Sequence, residues 1–229
     1  MSNVYIISAP SGSGKSTLVE KVRQIVCRID FSISYTTRQP RGNEQNGVEY
    51  FFVSRDVFDQ MIRRGEFLEH AEVFGNCYGT AKRFLEQAQH KGHDLLLDID
   101  VQGAAQIKRK LPDAVSIFIV PPDFKTLESR LRNRSLDQEE VIQRRLVTAS
   151  REIEKYRDYD YILINDRLED SVEALKSILL AERLRRSGVQ QSADAETLAK
   201  AERCRLSNVG ERLQPILVSF AKAATPGGR

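Results

Sequence analysis

Short apolar runs alternate with amphipathic segments along most of this chain. Residues 4–7 form a buried-strand run, followed by a Gly/Ser-rich turn and a helical pattern at Leu18, Val22, Ile25 and Val26. Residues 32–49 are polar and dense in Thr, Arg, Gly and Asn. Residues 50–53 read as a strand, and Ser54 is an N-cap for a helix carrying Phe58, Met61 and Ile62. A helix over 84–91 is stopped by Gly92. Leu95-Leu96-Leu97-Asp98-Ile99-Asp100 reads as a buried strand ending in carboxylates, with helical residues to about Lys110. Another apolar strand, 115–120, is closed by Pro121-Pro122. The charged stretch from 124 to 156 predicts two helices broken near 133–136, then a strand at 161–164 and an amphipathic helix at 171–184. This order predicts an α/β fold with a parallel sheet covered by helices on both faces.

After Arg186 the pattern weakens. Residues 187–195 are small and polar, 197–205 fit a helix, 214–220 are a short apolar run, and 221–229 read as frayed. The expectation is a linker and a weakly held extension of unknown role, dispensable for activity, with docking of the apolar run at 216–220 on the body or on a second subunit as the alternative.

Composition narrows the field by exclusion. Lys and Arg number 35 against 32 Asp and Glu, and a net charge of +3 is too small to predict nucleic-acid or membrane binding. A polyanion would have to be recognised at a local site. The three cysteines, Cys27, Cys77 and Cys204, have no metal-like spacing and suit a reducing compartment. There is no basic leader and no run of ~20 apolar residues, so the cytoplasm is expected.

The strongest chemical signal lies between the first strand and the first helix. Ala9-Pro10-Ser11-Gly12-Ser13-Gly14-Lys15-Ser16 has the context of a P-loop. Gly12 and Gly14 let backbone N–H groups turn toward phosphate oxygens, and the helix start adds its dipole. Lys15 would bridge β- and γ-phosphates, and Ser16 would offer a hydroxyl to Mg²⁺. Ala9 stands where the simple pattern has Gly, which ordinary backbone angles accommodate. Such a loop does not say what accepts the phosphoryl group.

The acceptor side is written in a polar hook, Ser34-Tyr35-Thr36-Thr37-Arg38-Gln39-Pro40-Arg41, with Glu44 and Tyr50 after it. Two arginines three apart can fork onto one phosphate, and a tyrosine adds a neutral donor. Glu69, Tyr78 and Thr80 follow further on. With these residues in view, the chain closely resembles the guanylate kinases. The resemblance is carried by SAPSGSGKST (8–17), FSISYTTRQPRGNEQNGVEYFFV (31–53), FLEHAEVFGNCYGT (67–80), LLLDIDVQG (95–103) and the Arg-rich 130–146, and it covers residues 3–185.

The resemblance implies a core with a GMP-binding lobe at about 33–82 and a helical lid at about 124–150. It implies transfer of the γ-phosphoryl of ATP to GMP, and to dGMP, with Mg²⁺ as cofactor, no nucleic-acid or membrane partner, and self-association left open. Arg38, Arg41, Tyr50 and Tyr78 would hold the GMP phosphate, with Glu44 orienting an arginine. Ser34, Glu69, Thr80 and Asp100 would read guanine. Residues 9–17, from Ala9 to Thr17, would cradle ATP, Ser16 and Asp98 would serve the metal, Arg134 and Arg145 would reach from the lid, and Asn165 would lie near the adenine. Lys15, Arg38, Arg134 and Arg145 would form the catalytic set. Ser135 departs from the glycine of many relatives. Arg130, Arg132 and Arg144 fit lid contacts and a solvated helix face equally well, and His70, His90 and His93 read as structural.

Two rivals remain from the residues. Guanylate-kinase-like scaffold domains bind phosphorylated peptides without turnover, but the complete cradle of Lys15, Ser16 and Asp98 favours an enzyme. A sister P-loop kinase would act on another phosphorylated ribose compound, and the carboxylates Glu69 and Asp100 favour guanine instead.

Overall fold

A computed structural model describes residues 2–134, 138–187 and 195–224. In chain order the elements are β1 (Val4–Ser8), α1 (Lys15–Ile25), β2 (Ile29–Ser32), β3 (Tyr35–Thr36), β4 (Phe51–Phe52), α2 (Arg55–Arg63), β5 (Phe67–Val73), β6 (Asn76–Ala81), α3 (Lys82–Lys91), β7 (Asp94–Asp98) and α4 (Val101–Lys110). They continue with β8 (Val115–Val120), α5 (Phe124–Arg134), α6 (Glu139–Ile153), a 3₁₀ turn, β9 (Tyr161–Ile164), α7 (Leu168–Ser187), α8 (Ala195–Arg203) and α9 (Gly210–Ala224).

The expected α/β class is what the chain adopts. A five-stranded sheet runs in the order β2-β7-β1-β8-β9, with β2 parallel to β7 and β8 parallel to β9. Every residue of β1 and β8 is buried, as strands covered on both faces require. No helix among the described residues is long and apolar enough to cross a membrane.

The chain divides into two compact units, one of Met1–Ile6 with Cys27–Ala114, the other of Ile7–Val26 with Val115–Arg229. The first unit holds a second sheet of order β4-β3-β6-β5, of which the hydrophobic pattern predicts only β4, within the strand at 50–53. It is mixed: β3 pairs β4 in parallel and β6 antiparallel, and β5 pairs β6 antiparallel. Its own small core joins Phe58, Met61, Phe67 and Cys77. The register on β6 shifts between Phe67, opposite Ala81, and Glu69, opposite Thr80. Leu68 is thus the extra residue of a bulge, a device that re-aims neighbouring side chains. Helix α4 lines the other edge of β5, where Gln106 exchanges two hydrogen bonds with the His70 backbone.

In the second unit the described part of the C-terminal extension is packed in, as the docking alternative for 216–220 has it, and is not weakly held. The N–H of Ile162 donates to the Cys204 carbonyl (2.7 Å), that of Leu206 donates to the Asp160 carbonyl (3.0 Å), and Tyr161 forms an antiparallel bridge with Arg205. Helix α9 continues through Pro215, which in a helix interior costs roughly 3 kcal/mol. Val209, Leu213, Ile216 and Phe220 recur at helical spacing and are all buried, which offsets that cost. Phe220 meets Phe124 edge-on, and the Phe124 N–H donates to Ser219 Oγ. Position 135 and the polar stretch at 188–194 lie outside the described residues, as does 225–229.

Phe220, 2% exposed, is therefore a core residue. Phe220→Ala is expected to cost ~3 kcal/mol in chemical denaturation. A loss under ~0.5 kcal/mol, the size typical of a surface change, would return the extension to a loosely held appendage.

Candidate active site

The turn after β1 is built to present backbone donors. Gly12 and Gly14 have φ of 94° and 86°, a region that disfavours a side chain, and Gly14 is the N-cap of α1. A Cβ on Gly14 would sit 2.4 Å from Asn165 Nδ2, which donates to the Ser13 carbonyl at 2.7 Å. Asn165, at the end of the β9 segment, is thus held against the phosphate loop as a buttress. Lys15 and Ser16 open α1, with Ser16 and Thr17 exposed on its first turn. Ala9, Pro10 and Ser11 lead into the loop, and the Ser13 N–H closes a turn onto the Pro10 carbonyl.

Helices α5 and α6 bring arginines to this loop within the same unit. Arg145 donates from Nε and Nη2 to Ser11 Oγ at 3.2 and 2.8 Å. Arg130 donates from Nη2 to the Asn165 carbonyl, while its Nη1 is buried with no hydrogen-bond partner among the described residues. Arg132 instead joins Glu128 to Glu139 on the surface, tying α5 to α6. Arg134 is the last residue of α5, and its side chain lies outside what the structure describes.

The first unit carries the polar hook. Arg38 is buried and makes a bidentate pair with Glu44, both contacts at 2.9 Å, and Glu44 also accepts from the Arg41 N–H. This pairing, with a smaller contribution from Tyr78, raises the Arg38 pKa and holds Glu44 below the usual carboxylate range. Glu44 and the Gln39 carbonyl take three of the five guanidinium donors, and Tyr78 hydrogen-bonds the same group. The Arg38 guanidinium lies 5.3 Å from the Tyr50 ring centre, and Tyr50 meets Tyr78 edge-on. Arg41 is exposed.

The same unit gathers two carboxylates. Glu69, 4% exposed, accepts from the Thr80 hydroxyl at 2.6 Å across the β5–β6 pair. Burial pushes its pKa up to about 7, and the nearby Asp100 carboxylate adds to the rise, against the Thr80 hydrogen bond and the Lys110 ammonium. Asp100 caps α4, with Oδ1 accepting from the N–H groups of Gln102 and Gly103. Ser34 is buried beside β3, and Asp98 is the last residue of β7.

Sequence reading did not single out the buttressing position of Asn165, the placement of Arg130 or the contact of Gly103 with both carboxylates. All three are tertiary contacts with no local pattern. A glycine inside a predicted helix was the one available signal, at Gly103.

A family model described as guanylate kinase matches residues 1–182. A guanylate kinase of Koribacter versatilis is 58% identical over 227 residues, covering 97% of this chain and 97% of that protein. That of Escherichia coli strain K12 is 50% identical over 194 residues, covering 84% and 94%. A crystal structure of guanylate kinase from Anaplasma phagocytophilum superposes with a TM-score of 0.67 at 36% identity, covering 79% of this chain and 86% of that one. The match to the Koribacter protein extends over nearly the full length, so the C-terminal extension has a counterpart there.

The raised Glu69 pKa makes a stability prediction. Between the ordinary value of 4.5 and about 7 the folded protein holds a proton that the unfolded chain has lost. Stability contributed by this group falls as pH rises through that window, by about 3 kcal/mol once pH is above 7. Glu69→Gln removes the effect, so its stability relative to wild type should improve from pH 5 to pH 8. Parallel stability curves for the two proteins would place the carboxylate in water.

Proposed function

We propose, from the premise that the chain belongs to the guanylate kinase family, how its residues divide the transfer of the γ-phosphoryl group from ATP to GMP, giving ADP and GDP. The carrying observation is the buried Glu69 carboxylate, paired with Thr80 and influenced by Asp100. A phosphate loop serves many nucleotide enzymes, whereas a buried acceptor pair suits few bases. Guanine presents N1–H and N2–H₂ as adjacent donors and O6 as an acceptor. Glu69 and Asp100 accept from the donors, and Ser34 and Thr80 supply hydroxyls. Adenine offers a bare acceptor at N1 and leaves a desolvated carboxylate unmet.

Arg38, Arg41, Tyr50 and Tyr78 hold the GMP phosphate, with Glu44 keeping Arg38 in place. Residues 9–17 cradle the triphosphate of ATP, and Lys15 neutralises charge that develops as the phosphoryl group moves. Arg145, already on the loop at Ser11, and Arg134 approach from the lid. Asn165 holds the loop on the side where the adenine is expected. The attacking oxygen belongs to a phosphate that is already ionised, so no strong general base is needed, and positioning dominates. Residues 33–82 serve as the GMP-binding lobe and 124–150 as the lid. The acceptor range extends to dGMP, as the family resemblance implies.

Nucleotide kinases generally use Mg²⁺ with ATP. Ser16 and Asp98, whose hydroxyl and carboxylate are hard oxygen donors of the kind this ion prefers, would be the residues to hold it. It would supply neutralisation of the charge on the phosphoryl group during transfer.

ADP release is the test, measured with GMP, dGMP, AMP and no acceptor. GMP should exceed AMP by ~10⁴-fold in kcat/KM, and AMP turnover within tenfold of GMP would sink the base-reading assignment. Lys15→Ala should lose at least ~10³-fold in kcat/KM with its fold intact. Arg145→Ala should lower kcat more than it raises the GMP KM.

A further inference from the structure

Helix α4 contains, in its first turn, a residue that helix propensity disfavours. Gly103 has no positive φ to require glycine, and glycine is the poorest helix former after proline. Its surroundings supply the reason. A Cβ added there would lie 2.5 Å from Oε2 and 3.0 Å from Cδ of Glu69. The N–H of the same residue donates to Asp100 Oδ1 at 2.9 Å. One backbone position therefore touches both carboxylates.

The helix cannot easily back away to make room. Gln102, Gln106 and Lys110, four residues apart along α4, donate to the carbonyls of Glu72, His70 and Leu68, two residues apart along β5. Four helical residues rise ~6 Å and two strand residues ~6.7 Å, so the two ladders stay in step. The clasp grips β5 at the bulge and on both sides of Glu69. Any added volume at position 103 must therefore be absorbed by the Glu69 side chain.

We propose that Gly103 is a positioning residue for guanine recognition. Its missing side chain is the notch that seats the Glu69 carboxylate, and its N–H fixes Asp100. A single residue thereby sets the spacing of the two acceptors. This rests on the assignment of Glu69 and Asp100 to base reading.

Gly103→Ala tests it, assayed with GMP and with IMP, which lacks the exocyclic amine. The GMP KM should rise at least tenfold, kcat should change less, the ATP KM should stay within twofold, and the preference for GMP over IMP should shrink. The protein should stay folded, because alanine's better helix propensity offsets part of the cost of displacing the carboxylate. In the Glu69→Gln background the same change should add far less than its effect alone, since the group it displaces no longer reads the base. A GMP KM within twofold of wild type, full additivity in the double variant, or an unfolded Gly103→Ala protein would each overturn the proposal. The base-reading assignment fails separately: Glu69→Gln with a wild-type GMP KM removes it, whereas an impaired Glu69→Gln beside a normal Gly103→Ala removes only the notch.

Discussion

A carboxylate taken out of water must be given partners, and the acceptor side of this protein is arranged around that demand. Glu69 is almost wholly buried, and that burial raises its pKa. Thr80 answers one oxygen across the strand pair, the bulge at Leu68 re-aims the residue that follows it, and Gly103 leaves space for the other oxygen. Under the proposed base-reading role, a ligand with its own N–H donors meets the cost of burial and one without them leaves it unmet.

The donor side uses the opposite charge and the same logic. Two left-handed glycines expose N–H groups that a side chain would cover, and Asn165 fills the space beside Gly14 while bonding the Ser13 carbonyl. Arg145 rests on Ser11 from α6, and Arg130 reaches the same neighbourhood from α5 with one nitrogen unpartnered among the described residues. The C-terminal helix α9 packs on the start of α5 at Phe124, so the extension braces one of the helices that carry these arginines.

Much of this was legible in the sequence, and the reason is physical. Buried parallel strands are uninterrupted apolar runs, and the runs at 115–120 and 161–164 match β8 and β9 residue for residue. The phosphate loop is a local object whose chemistry is written in consecutive residues. Of the second sheet only β4 was legible, as the strand at 50–53; β3 escaped because it is two residues long, and β5 and β6 because they carry polar residues where alternation would otherwise show. The packing of the extension escaped for another reason. The run at 214–220 is too short to show helical spacing by itself, yet Val209, Leu213, Ile216 and Phe220 lie on one helical face. Gly103 and the α4 clasp are contacts between distant segments, and no single-chain pattern encodes them.

Strand β9 lies at the margin of the five-stranded sheet, and its outer side is covered by Cys204 and Leu206 from the extension. A bare margin of that kind is a template for another chain. The cover is made by residues that follow β9 in the chain, so a nascent polypeptide displays the strand before it possesses the cover. At synthesis rates of roughly 5–20 residues per second, that interval lasts several seconds. During that interval the strand can pair with the same strand on a neighbouring nascent chain.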